Sequence, residues 1–343
     1  LVGPWIAAVQ SLVKKIWNVE HNVIFSSGVS AKRLATRIME TPGLLGEDDA
    51  GFWDKSLHRK IMLAEVRICD YFGVPRATRR LILTNVDKRG RTTKGLRYRT
   101  LGQRASGDPY TTLFNTIWNI FIHMFLIARE NANSLTLVTL RWDEVVVFVL
   151  MAAAGDDNIM RIATNLRVPN FAVQMARLGI DSKFLNRVDP LTAEFCSNRI
   201  YEVEGGYTFS PKPGRILSKL GYFIQPPPLR RVSRESLVRG TALGLVKACW
   251  HIAPLRVYLS RLLELTKGHK AFYAKPEDWK LHYEVEVETP ATIQSLEVNY
   301  GFANNHLRYI TAAVGAAALG DVVDHPFFNL LCDRDTGGVQ LYF

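Results

Sequence analysis

Twenty consecutive residues without a formal charge, Pro109–Ala128 (PYTTLFNTIWNIFIHMFLIA), constrain this chain more than any other feature. A run of that length and apolarity can cross a bilayer as one helix. Within it, Asn115, Asn119 and His123 recur at four-residue spacing and place a polar stripe down one helical face. Polar groups are costly in lipid, so the stripe predicts a helix buried in a protein core, with that face turned toward a site. No transmembrane segment is expected. The composition can build such a core: the 343 residues are 48% hydrophobic and 22% charged, which excludes wholesale disorder and collagen-like repeats.

The four cysteines, Cys69, Cys196, Cys249 and Cys332, lack C-x-x-C spacing and read as free thiols of a reducing compartment. The chain opens on Leu1, and Lys14 and Lys15 interrupt its apolar periodicity, unlike a signal peptide. A piece of something longer is expected.

Trp5, Ile6, Val9, Leu12, Val13, Ile16 and Trp17 recur with helical period after Gly3-Pro4. Ser30 is placed to cap a second helix ending before Pro42-Gly43. The stretch from Gly43 predicts a strand to about Ala50, a turn, and a helix from about Lys55 to Tyr71. Val145–Ala154 (VVVFVLMAAA) reads as a buried strand; Gly155-Asp156-Asp157-Asn158 and IMRIA follow, so a hairpin with the acidic pair at its tip is expected. A helix over Pro169–Leu178 should stop at Gly179, with strands near Ser182–Val188 and Glu194–Tyr201. Pro226-Pro227-Pro228 is the sharpest boundary signal, and the segment beyond it reads as mostly helical.

Charge narrows the partners. With 43 Lys plus Arg against 32 Asp plus Glu, the net charge is +11, which favours a polyanion. From Arg76 to Arg104 ten Lys or Arg face a single acid, Asp87, with a turn signal at Asp87-Lys88-Arg89-Gly90.

Two acidic clusters stand where predicted strands end: Asp49 with Asp54 in DDAGFWD, and Asp156-Asp157 in AGDDN. Carboxylate oxygens suit hard divalent cations, and paired metals can activate an attacking oxygen and stabilise a leaving one. Gly155 suits the tight turn such a tip requires. Each cluster alone is also an ordinary turn or cap sequence. Between them lies RASGDPYTTLFN, where Thr111 and Asn115 share one helical face.

In order, D-x4-D (Asp49 to Asp54), S-G-x3-T-x3-N (Ser106, Gly107, Thr111, Asn115) and G-D-D (Gly155 to Asp157) resemble the palm motifs of RNA-dependent RNA polymerases of positive-strand RNA viruses, nearest the tombus- and noda-like groups. LGIDSK and EFCSNRIY resemble the family's fourth and fifth palm motifs, and the likeness runs from Val2 to about Leu265. It implies an α+β right-hand fold. Residual fingers would occupy 1–43, the palm 44–74 and 101–225, a basic fingers insertion 75–100, and a helical thumb 226–343. The resemblance implies that Asp49 and Asp156 hold catalytic Mg2+ or Mn2+, with Asp157 ancillary. Asp54, Ser106, Gly107, Thr111 and Asn115 would read the incoming nucleotide's ribose, and Lys183 would protonate pyrophosphate. Arg97, Arg99, Arg104, Cys196, Ser197 and Arg199 would contact RNA, with Lys212, Arg215 and Lys219 near the product phosphates.

Implied partners are template and product RNA, nucleoside triphosphates and other replicase proteins, in the host cytoplasm within a membrane-associated replication complex. The family's basic fingers motif is expected upstream of Leu1; Lys32, Arg33 and Arg37 lie too far along to replace it. The residues alone leave open a reverse transcriptase, a two-metal nuclease, or an RNA-binding fragment inactive without that motif.

Overall fold

The computed structural model describes residues 2–132, 142–220, 232–273, 281–321 and 323–337. The expected boundary at Pro226–Pro228 lies outside the described residues. The chain divides into two compact units, one of Leu1–Ser27 with Thr41–Val188, the other of Gly28–Glu40 with Asp189–Phe343. The division thus falls at Val188, inside the stretch 101–225.

The chain opens with α1 (Gly3–Ile16), started by Pro4 in its first turn, and continues through β1 (Val23–Phe25), β2 (Val29–Ser30) and α2 (Ala31–Glu40). Ser30 Oγ accepts the Arg33 amide at 3.3 Å, the expected start of that second helix. β3 (Leu44–Gly51) then leads into the short α3 (Trp53–Ser56) and α4 (Arg59–Tyr71). The single helix expected from Lys55 is two, because extended Leu57 interrupts it and His58 recaps α4 by accepting the Lys60 amide.

α5 (Arg76–Thr84) precedes a two-stranded ribbon, β4 (Asp87–Arg91) and β5 (Arg97–Leu101). Asp87–Gly90 is therefore strand, and the turn lies at Thr92–Gly95, closed by the Gly95 amide on the Thr92 carbonyl. The long α6 (Thr111–Ala132) is followed by α7 (Trp142–Phe148), β6 (Val149–Ala154), β7 (Asp157–Ile162), α8 (Phe171–Arg177) and β8 (Asp181–Asn186). Only Val149–Ala154 of the expected strand is extended; Val145–Phe148 is helical, since a continuous apolar run has no period to separate a buried strand from a buried helix.

Five strands of the first unit form one mixed sheet in the order β1-β6-β7-β3-β8. Only β1 and β6 run parallel. α6 packs on β6 and β7, and α8 on β8. Ile120, Met124 and Ile127 of α6, Met151 and Ala153 of β6, Met160 and Ile162 of β7, and Phe171 and Met175 of α8 form the main core. A second cluster joins Ile6, Val9 and Val13 of α1 to Cys69, Ile82, Tyr110 and Phe114. Burial lifts the Cys69 thiol to about 11, so it packs rather than reacts.

In the second unit β9 (Glu194–Phe195), β10 (Asn198–Val203) and β11 (Gly206–Pro211) form an antiparallel sheet against which α2 packs. α9 (Pro213–Leu217), α10 (Arg234–Cys249) and α11 (Ala253–Leu265) follow, then β12 (Leu281–His282), α12 (Pro290–Tyr300), α13 (Asn304–Ala316) and α14 (Pro326–Thr336). The described part beyond 231 is mostly helical, as expected, with Leu255, Leu259 and Leu262 buried.

Candidate active site

The strand register brings the two acidic clusters together. β7 pairs with both β3 and β6: Asp48 lies opposite Asn158, and Ala154 opposite Asp157. The tip Gly155-Asp156 therefore stands beside the end of β3 that carries Asp49. Successive side chains alternate across a sheet. Asp48 and Asn158 turn toward α6, where both are buried. Asp49 and Asp157 take the opposite face, and Lys183 is Asp49's cross-strand partner on β8. Asp49, Asp156 and Lys183 are exposed.

α6 holds this hairpin by its polar stripe. Asn119 Nδ2 donates to the Gly155 carbonyl at 3.1 Å and the Asp156 carbonyl at 2.7 Å, while its Oδ1 accepts from Asn158 at 2.9 Å. The Gly155 amide donates to Thr116 Oγ1 at 2.7 Å. Gly155 has φ 72°, which glycine adopts cheaply and a two-residue hairpin loop with glycine first requires. One turn along, His123 Nε2 meets Asp48 at 2.8 Å, and Ser182 Oγ donates to the same carboxylate at 2.7 Å. Thr116, Asn119 and Asp48 are not among the predicted site residues, although the four-residue spacing of Asn119 with Asn115 and His123 marks the face.

The residues expected to read the ribose also converge. After β3 the backbone turns through Phe52 at φ 54°, a left-handed conformation costing about 1–2 kcal/mol in a non-glycine residue. It sends Trp53 into the core and leaves Asp54 half-buried. Asp54 accepts from Ser106 Oγ at 2.6 Å and Asn115 Nδ2 at 2.8 Å. Thr111 reaches back to the Ala105 carbonyl at 3.0 Å, so its hydroxyl steadies the Ser106-Gly107 loop.

Arg104, expected to contact RNA, is instead interior. Its side chain is wholly buried and forms a forked ion pair with Glu65 of α4. Its Nε donates to Asn115 Oδ1 at 3.2 Å, and its guanidinium lies 5.3 Å from the Tyr110 ring centroid. A group so enclosed has no access to a phosphate. Burial pushes the Glu65 carboxyl upward, and Arg104 opposes that shift.

Arg97 and Arg99 lie on the exposed ribbon, where Arg89 faces Arg99 and Arg91 faces Arg97 across the strands. Alternation puts these four guanidinium groups on one face. Asp87 takes Arg99 at 2.7 Å through both oxygens, and that pairing holds its carboxyl below the usual range. Like charges directly opposite are unfavourable, so the face is suited to an anion.

The other predicted RNA contacts belong to the second unit. Cys196 and Ser197 form the two-residue loop between β9 and β10, both left-handed at φ 52° and 61°. Asn198 Nδ2 braces that loop on the Phe195 and Cys196 carbonyls, and Arg215 donates to Ser197 Oγ. Arg199 is engaged by Glu194 at 2.9 Å, by Asn299 and by the Tyr300 ring, and Lys212 by Glu194. These cations are committed to holding the hairpin rather than offered to phosphates.

Among the described residues no group of three or more His, Cys, Asp or Glu is gathered to hold a metal ion. The available donors are nonetheless hard carboxylate oxygens on one strand end and one hairpin tip. This suits magnesium, which is commonly bound by one or two carboxylates completed by substrate phosphates and water.

A family model described as RNA dependent RNA polymerase matches residues 3–237, and the chain belongs to that family. No curated protein matches the chain. It is an RNA-directed RNA polymerase of positive-strand RNA viruses, a nucleotidyltransferase acting on an RNA template and nucleotide substrates with divalent metal ions, in infected host cells. The reverse-transcriptase and nuclease readings are thereby set aside.

Proposed function

We propose that the end of β3 and the Gly155-Asp156 tip form the nucleotidyl-transfer centre, with Asp49 and Asp156 as principal metal ligands and Asp157 ancillary. The register that stands Asp49 beside this hairpin carries the reading. Magnesium, or manganese in its place, would supply charge neutralisation at the attacking and leaving oxygens. The RNA 3′-hydroxyl gives up its proton to solvent as its oxygen bonds to the α-phosphorus, the bond to the bridging oxygen breaks, and pyrophosphate leaves. Lys183, beside Asp49, donates a proton to the departing pyrophosphate. Asp54, fixed by Ser106 and Asn115 and acceptor-only when ionised, receives the ribose 2′-hydroxyl as a donor. This favours ribonucleotides.

In the right-hand scheme, the first unit's sheet with α6 serves as palm, the β4–β5 ribbon belongs to the fingers insertion, and the helices beyond 231 act as thumb. The ribbon's arginine face, Arg97 and Arg99 included, contacts RNA phosphates. Replication at host cytoplasmic membranes with other replicase proteins belongs to the same reading. α6 alone among the described helices is long and apolar enough to cross a bilayer, yet Asn115, Asn119 and His123 are spent on internal hydrogen bonds. Those bonds support a core role for α6, with membrane attachment supplied from elsewhere.

The test is nucleotide incorporation on an RNA template after chelation, with magnesium or manganese added back. Wild-type activity should return with either ion, and Asp49→Ala should recover none at any concentration. Recovery of Asp49→Ala to wild-type rates would refute the assignment.

A further inference from the structure

Arg104 is consumed by neither the metal centre nor an RNA surface, yet it is among the most completely paired cations of the first unit. Its terminal nitrogens form the fork with Glu65, whose Oε1 also accepts the Trp118 indole N–H at 3.0 Å. Its Nε, on the remaining edge, points at Asn115 Oδ1. Its backbone amide donates to the Asp54 carbonyl at 3.1 Å. Arg104 thus touches both ribose-reading residues from behind, by side chain on one and main chain on the other.

The chemistry makes this arrangement directional. A guanidinium has only donors, whereas an asparagine amide carries an acceptor on one side and two donors on the other. While Arg104 Nε occupies the acceptor side, Asn115 has to present its NH2 group to Asp54. Rotation of the amide by half a turn would set N–H against N–H at Arg104 and oxygen against oxygen at Asp54. We propose that Arg104, locked by Glu65, is a positioning residue that fixes the amide polarity of Asn115 and so holds the Asp54 carboxylate ready for the 2′-hydroxyl. It acts on sugar selection and not on phosphoryl transfer. The inference rests on the ribose-reading role proposed for Asp54.

Arg104→Lys separates this role from folding. Lysine keeps the charge opposite Glu65, but a single ammonium cannot reproduce the three-edge fork. The readout is the ratio of kcat/KM for a ribonucleotide to that for its 2′-deoxy counterpart, with Asp54→Ala as reference. The expected result is a ratio lowered about tenfold or more, through loss on the ribonucleotide with the deoxynucleotide within about threefold, since a site built to bond a hydroxyl loses only the substrate that carries it.

Glu65→Gln, which frees the fork, should move the ratio the same way. It provides the second variant should Arg104→Lys melt below the assay temperature. An equal fall on both substrates in the folded variants would make Arg104 merely structural and overturn the proposal. If Asp54→Ala lowers the ratio and neither relay variant does, only this inference fails. If Asp54→Ala also leaves the ratio unchanged, the ribose-reading assignment fails with it.

Discussion

Asn119 allows the contribution of hairpin anchoring to be measured apart from stability. Asn119→Ala removes three hydrogen bonds, to the carbonyls of Gly155 and Asp156 and from Asn158. At a net value of about 1 kcal/mol each, the loss is about 3 kcal/mol. For a folding unit of this size that lowers the melting midpoint by about 6–12 °C. Asn131, also on α6 and buried, supplies the control: it too makes three hydrogen bonds, to the Ile127 and Arg167 carbonyls and from the Arg167 amide. Asn131→Ala should lower the midpoint by a similar amount.

The two variants should part in catalysis. Asn119→Ala releases the backbone that aims Asp156, and a misplacement on the order of 1 Å costs about 100-fold. Single-nucleotide incorporation, measured below both midpoints, should show kcat for Asn119→Ala reduced about 100-fold and kcat for Asn131→Ala nearly unchanged. Equal kcat values in the two variants would refute the anchoring role.

Four further outcomes follow from the same structure. Asp48→Ala strands His123 and Ser182 in the core and should cost about 2–4 kcal/mol in chemical denaturation. Asp49→Ala, at an exposed position, should stay within about 0.5 kcal/mol of wild type while losing incorporation. On the ribbon, Arg91→Ala with Arg97→Ala should lessen the salt dependence of single-stranded RNA binding by about 1.4 in log–log slope; filter binding across a salt series reads this directly. In the second unit, burial, with Arg256 adding to it, holds the His251 imidazole down from 6.5 to about 3. The unfolded chain takes up that proton first, so stability should fall as pH drops below about 6.5, by about 2 kcal/mol at pH 5. His251→Gln should lose this component of the acid limb, as urea midpoints at pH 7 and pH 5 will show.

Features written as local periodicity are legible in the sequence. The four-residue spacing of Asn115, Asn119 and His123 marked the buried stripe, and Gly155 between an apolar strand and two acids marked the hairpin tip. Long-range partners have no such signature. Glu65 and Arg104 are 39 residues apart, and Arg104 sits at the end of a basic run, so its charge suggests an RNA surface although Glu65, Tyr110 and Phe114 enclose it. Arg199 is a similar case, because Asn299, Tyr300 and Asp335 approach it from a hundred or more residues downstream. The ribbon turn was misplaced because Asp87–Gly90 has turn composition, whereas pairing with Arg97–Leu101 keeps it extended.

The most direct test of the nucleotidyl-transfer centre is single-turnover addition of one nucleotide to an RNA 3′ end by Asp156→Asn, at saturating magnesium and with its melting midpoint shown to match wild type. The carboxylate-to-amide change keeps the shape of the hairpin tip and removes the charge that would hold the metal. A loss of about a thousandfold or more is predicted, with a smaller loss for Asp157→Asn. A folded Asp156→Asn enzyme that adds the nucleotide within about tenfold of the wild-type rate would contradict the account.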